Sequence, residues 1–258
     1  MWKRTKPTSS RSRAGDESSE PARRASAWGK RPPRVDPAAE PVGARSGTVT
    51  RVALQTRSGA ERVNVFLDGE YAFSLAADLA YQVHEGDAVE EAAVEELIRQ
   101  DDAIRAYGRA LIFMAPRPRS VAEVRTKLAQ QGHKAPAIDA TLQKLAEQHL
   151  INDEEFAGYW VSQRQTFRPR GARALEVELR RKGIDRETAG VAIAAADIDQ
   201  VAAAVRAGSR TAAKASGEDE RAFAKTVGAF LLRRGFDYGT AKEATQALWV
   251  ETQQAERA

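Results

Sequence analysis

Cysteine is absent from the 258-residue chain. That excludes disulfides, thiolate nucleophiles and cysteine-held zinc, and it fits a reducing cytoplasm. Histidine is scarce: His84, His133 and His149 stand too far apart in sequence to suggest a metal cluster. No apolar run approaches the ~18 residues of a membrane span, and the N-terminus lacks the apolar core of a secretory signal. The expectation is a soluble, cytoplasmic protein without a membrane partner. Catalytic motifs are missing in the same way, with no phosphate-cradling GxxxxGK-S/T, no GxGxxG, no HExxH and no GxSxG. The adjacent acids Asp153, Glu154 and Glu155 sit at a helix start, where the helix dipole is sufficient reason for them. Glu90, Glu91, Glu95 and Glu96 read as a solvated helix face. Neither an enzyme, a cofactor, a metal nor a small-molecule substrate is expected.

With 42% apolar residues, the chain can fold along part of its length. Residues 1–46 hold 11 Lys/Arg and 5 Asp/Glu among Ser, Pro, Ala and Gly, with almost nothing to bury. They read as a disordered basic tail, because ordering them would have no compensating burial. The tail carries +6, while the remainder has 29 basic and 31 acidic residues, or −2. The net charge of +4 therefore says nothing about a nucleic-acid partner for the folded part. Such an argument must rest on local clustering.

From residue 47 the pattern alternates. Val63, Val65 and Leu67 are followed by Asp68-Gly69 and then Tyr71, Phe73 and Leu75, the signature of a β-hairpin with a type I′ turn. A small antiparallel sheet of about three strands is predicted. It needs a helix against it, supplied by LAADLAYQV and an acidic helix from about Ala88. Beyond Asp101 the period becomes helical, broken by Pro, Gly and Asn into roughly nine helices. Ser120 with Glu123 reads as a capping box, and Asn152 with Glu155 as a looser one. Aligning Gly132, Gly183 and Gly235 superimposes Leu128, Leu179 and Leu231, and also Val124, Leu175 and Val227, with periods of 51 and 52 residues. In each unit a helix ends near a glycine suited to a left-handed C′ position. In two of them an aspartate, Asp185 or Asp237, opens the next helix.

The fold class is thus mainly α, with tandem three-helix repeats of helix-turn-helix-like form preceded by a small antiparallel β-sheet subdomain. The boundaries expected are a tail over 1–46, the sheet and its helix over 47–100, and repeats over 101–151, 152–197 and 198–258. His133 takes the slot of Ile184 and Phe236, so it reads as a packing residue. Phe156, Tyr159, Trp160 and Phe167, at helical spacing, read mostly as core.

One chemical feature remains, a basic stripe. Arg164, Arg168, Arg170, Arg173, Arg180, Arg181 and Lys182 face two acids, and the preceding repeat offers Arg117, Arg119, Arg125 and Lys127. It implies an anionic partner, either phosphate backbone or an acidic protein groove. The ordered segments RPRSVAEVRTKL, LINDEEFAGYWVSQR, RGARALEVELRRKGID and FLLRRGFDYGTAKEA, together with the hairpin VNVFLDGEYAFSL, resemble the RecX family of RecA regulators over roughly Ala106 to Trp249. The resemblance implies tandem three-helix repeats lying in the groove of the RecA filament on single-stranded DNA. It further implies inhibition of the recombinase and its ATPase without catalysis, and weak single-stranded DNA binding could accompany this. The basic positions of RPRS, RPRG and LRRKG are the candidate contacts. Two departures are the extra tail and the missing Arg-Pro-Arg in the third repeat. The rival reading is a direct nucleic-acid binder with one helix-turn-helix corner in a major groove. No helix carries a convincing set of Asn, Gln and Arg base readers for it.

Overall fold

The structure, a computed structural model, describes residues 46–55 and 62–257; the tail predicted for 1–46 lies almost wholly outside the described residues. The sheet has four strands rather than three, all antiparallel, in the order β3-β2-β1-β4: β1 (Gly47–Leu54), β2 (Arg62–Leu67), β3 (Glu70–Ala76) and the two-residue β4 (Ala88–Val89). β4 is too short to carry an alternating pattern, so only its pairing with Gly47 and Thr48 marks it. The predicted hairpin turn is present, with φ of 50° at Asp68 and 86° at Gly69. Val63, Val65 and Leu67 of β2 and Phe73 and Leu75 of β3 are buried with Leu79, Val83, Val94 and Leu97.

A 3₁₀ segment, Ala77–Gln82, leads toward α1 (Glu91–Met114). The acidic helix and the first repeat helix are one 24-residue helix, because nothing between Glu91 and Met114 breaks it. Residue 101, placed at a boundary by the sequence pattern, lies inside it. The adjacent acids Asp101 and Asp102 serve tertiary contacts there. Asp101 is 4% exposed, takes both terminal nitrogens of Arg62 at 3.0 Å and accepts from the Ala76 N–H at 2.7 Å, which fastens the sheet to α1.

Eight further helices follow: α2 (Val121–Gln130), α3 (Ala135–Glu147), α4 (Asp153–Phe167), α5 (Ala172–Arg181), α6 (Arg186–Ala195), α7 (Gln200–Lys214), α8 (Glu220–Arg233) and α9 (Tyr238–Arg257). Each set of three has its own core. Val124, Leu128, Leu142 and Leu145 fill the first, Phe156, Leu175, Leu179 and Ile184 the second, and Phe223, Val227, Leu231 and Phe236 the third. Ile198 packs against both the second and the third. The residues superimposed by the repeat thus occupy equivalent core positions.

Capping chemistry explains the corners. Ser120 accepts from the Glu123 N–H in a full capping box, whereas Asn152 accepts from the Glu154 N–H, without a box. Gly132, Gly183 and Gly235 have φ near +85° and close α2, α5 and α8. Asp185 and Asp237 accept from the Thr188 and Thr240 N–H groups at 2.9 Å and open α6 and α9. The first unit has Lys134 at this position, and Asp102 substitutes from α1. Its carboxylate accepts the Lys134 N–H at 3.0 Å and lies 2.7 Å from His133 Nδ1. His133 is buried as expected of a packing residue, though with a polar partner. Phe156 is core, Tyr159 and Trp160 are half-buried, and Phe167 is 71% exposed.

Candidate functional site

α5 carries the centre of the basic stripe. Leu175 and Leu179, four apart, turn inward, so Arg173, Val177, Arg180 and Arg181 turn outward and are exposed. Arg168, the residue that ends α4, is exposed beside them in sequence. Among the described residues these four arginines have no carboxylate or ring partner.

The other seven basic candidates are already engaged within the fold. Arg117 donates to both Glu123 oxygens at 3.0 and 3.2 Å. Lys182, from the next unit, reaches the same carboxylate at 2.6 Å. Burial pushes the Glu123 carboxyl up, but the hydrogen bonds and charges of Arg117 and Lys182 outweigh it and hold the group at about 2. Arg119 lies 4.0 Å from the centre of the Phe113 ring, with Lys127 at 5.9 Å, and burial followed by the Arg117 charge lowers the Arg119 pKa. Arg125 is paired with Asp139 at 2.6 Å.

In the second unit one carboxylate, Glu178, collects the neighbours. It accepts from Arg164 Nε at 2.6 Å and Trp160 Nε1 at 3.0 Å, and Arg170 Nε lies 2.8 Å away. The Arg170 N–H does not point along that contact and has no acceptor in hydrogen-bond geometry. Arg164 and Lys182 also stack on the Trp160 ring, at 4.3 and 4.9 Å. The eleven predicted residues therefore form no single surface. They divide into two half-buried ion-pair clusters, a paired or ring-bound set on the first unit, and an outward set of four.

The sequence reading missed Arg234, at the corner before Gly235. It is half-buried, lies 4.9 Å from the centre of the Phe230 ring, and has a pKa lowered by burial, then by Arg170 and Arg168. The signal was available, because the glycine alignment places Arg234 on Lys182. Among the described residues no group of three or more His, Cys, Asp or Glu is disposed to hold a metal ion.

The chain is similar to the regulatory protein RecX of Bacillus licheniformis, 30% identical over 201 residues that make up 77% of this chain and 76% of that protein. The chain belongs to the RecX family. The RecX N-terminal domain matches residues 47–88, the first RecX three-helix domain 106–145 and the second 152–193. The RecX of Listeria monocytogenes serotype 4a is 36% identical over 141 residues, and that of Bacillus subtilis 33% over 142. In these two matches the chain spans about half the relative's length, 52% and 53%. A crystal structure of regulatory protein RecX superimposes with a TM-score of 0.58 at 22% identity, over 78% of this chain and all of that one. RecX from Lactobacillus salivarius superimposes with 0.52 at 27% identity, over 58% of this chain and 97% of that one. RecX is a family of regulatory proteins, and the sheet and the first two three-helix units here are its recognised domains.

Proposed function

We propose that this RecX-family chain binds the filament formed by a RecA recombinase on single-stranded DNA and inhibits its recombinase and ATPase activities, without catalysis of its own. The observation that carries the reading is the outward set Arg168, Arg173, Arg180 and Arg181. These charges have no internal carboxylate, so an anionic partner can take them up without breaking an ion pair of the fold. The alternative, a helix that reads bases in a major groove, has less support. The outward face of α5 offers arginines and Val177 but neither Asn nor Gln.

The test compares the chain's binding to bare and RecA-coated single-stranded DNA, with DNA-dependent ATP hydrolysis alongside. Preference for the coated filament and inhibition of hydrolysis are expected. Changing Arg168, Arg173, Arg180 and Arg181 together to Glu should weaken inhibition about tenfold or more, given a few tenths of a kcal/mol per exposed charge, while the circular dichroism stays helical. Arg170 is left unchanged, because a glutamate there would face Glu178. No preference for the filament and no inhibition would overturn the proposal.

A further inference from the structure

One seam runs along almost the whole of α1. Val94, Leu97 and Asp101, and after them Ile104, Gly108, Leu111 and Ala115, follow at alternating steps of three and four, which places them on one side of the helix. The first three positions are covered. Val94 and Leu97 belong to the sheet core, and Asp101 holds Arg62 and the Ala76 N–H. Beyond Asp101 the sheet core ends, and α1 turns a different side, with Ala106 and Ala110, to the core of the first helical unit. The seam therefore continues into solvent: Ile104 is 39% exposed, Leu111 38% and the adjoining Ile112 71%, and Ala115 is open at the helix end.

Gly108 stands in the middle of the uncovered half. Glycine weakens a helix interior, and nothing within the fold requires it at this position, since an added Cβ would meet no atom within 4 Å. What it leaves is room for a second backbone to come close. The flanks of the seam are basic. Arg109 is exposed and, among the described residues, has no carboxylate or ring partner. Arg105 is exposed and 3.9 Å from an Asp101 carboxylate that Arg62 already holds. Toward the other edge Lys144 of α3, also exposed, lies 4.5 Å from the centre of the Tyr107 ring. Residues 103–115 contain no Asp or Glu.

We infer that the second half of α1 is a docking face for an amphipathic helix of a partner protein, one with apolar residues at three-four spacing and carboxylates along its edges. A seam of this spacing is filled by the side chains of another helix, and the docked helix would extend the packing that the sheet begins. The edge charges choose the occupant. A second copy of this chain, laid antiparallel across Gly108, would bring four arginines and no carboxylate to the contact, whereas an acid-edged helix meets Arg105, Arg109 and Lys144 with opposite charge. The inference does not rest on the filament reading, whose arginines are those of α5 and Arg168.

The test uses the full chain and a labelled synthetic peptide of about 18 residues, long enough for a helix, with leucine at three-four spacing and glutamate at the flanking positions. No recombinase or nucleic acid is present. Fluorescence anisotropy should show binding, and a peptide with lysine in place of each glutamate should bind at least tenfold more weakly. Ile112→Asn and Gly108→Glu should each weaken binding of the acidic peptide about tenfold, the one by removing apolar contact and the other by placing a carboxylate in the seam. Their melting temperatures should match or exceed that of the native chain, because Ile112 is mostly exposed and an added Cβ at Gly108 touches nothing. Failure of the acidic peptide to bind, or binding unaffected by both substitutions, would overturn the site. Equal affinity for the acidic and basic peptides would overturn the assigned partner chemistry. A concentration-dependent dimer in sedimentation, lost in Gly108→Glu, would give the face to a second copy instead. The chain with Arg168, Arg173, Arg180 and Arg181 changed to Glu should still bind the peptide, which separates failure here from failure of the inhibition assay.

Discussion

Glu123 decides which cations of the first unit can face a partner. It closes its own capping box and accepts Arg117 and Lys182, from two different units. A carboxyl ordinarily near 4.5 and held at about 2 in the fold adds stability above pH 4.5, and that contribution disappears as the pH falls from 4.5 through 2. Glu123→Gln should therefore lower the unfolding free energy at neutral pH by on the order of 2 kcal/mol and flatten the acid limb. Urea titrations across that pH range read both, and an unchanged acid limb would mean that the ion pairs do not form in solution. Asp153 works in the other direction. Burial raises its pKa, the Val121 N–H only partly offsets this, and ionisation opposes the fold as the pH rises. The Ser120–Glu123 box was legible because its partners lie three residues apart. The contact of Glu123 with Lys182, 59 residues away, left no local trace.

The helix corners translate local chemistry into packing. At Gly132 an added Cβ would meet open space, so Gly132→Ala is expected to cost only the left-handed backbone penalty, about 1 to 2 kcal/mol. At Gly235 the same atom would lie 2.4 Å from the Ala174 Cβ and 2.5 Å from the Ala174 nitrogen, so Gly235→Ala must also displace α5. Gly171→Ala needs no unusual φ, but its Cβ would fall 2.2 Å from the Gly235 carbonyl oxygen. Thermal denaturation should rank Gly235→Ala as more damaging than Gly132→Ala. Equal losses would show that the corner does not bear on the neighbouring unit. The sequence shows all three glycines in register, and each helix stop follows from it. It does not show that α1 runs on through Asp101, because the tertiary roles of Asp101 and Asp102 appear only when Arg62 and His133 are seen to face them.

The molecule consists of a sheet core and three helical cores in series; α1 runs from the first into the second, Ile198 packs against the last two, and polar contacts add to these links. The Asp101 link between the sheet and α1 is one of them. Asp101→Ala would leave the Ala76 N–H without its acceptor and the Arg62 guanidinium without its counter-charge, holding only the Ser74 carbonyl, at a cost of about 3 kcal/mol for breaking a buried pair. Hydrogen exchange should quicken at the β2 and β3 amides and stay unchanged in α7 to α9, whose core is separate. Uniform acceleration would mean that the cores unfold as one.

Helices, corners, the hairpin and the threefold repeat are all written in the order of residues, because capping, positive-φ turns and apolar spacing act over about four positions or fewer. Membership of the RecX family is carried by the same repeated segments. The functional surface is a different matter. All eleven basic candidates look alike in the chain, yet Arg164 finds Glu178 14 residues on, and Lys182 finds Glu123 59 residues back. Folding therefore determines which cations remain for a partner. A charge is neutralised by whatever the tertiary arrangement brings within about 4 Å, and that distance is not encoded in sequence spacing.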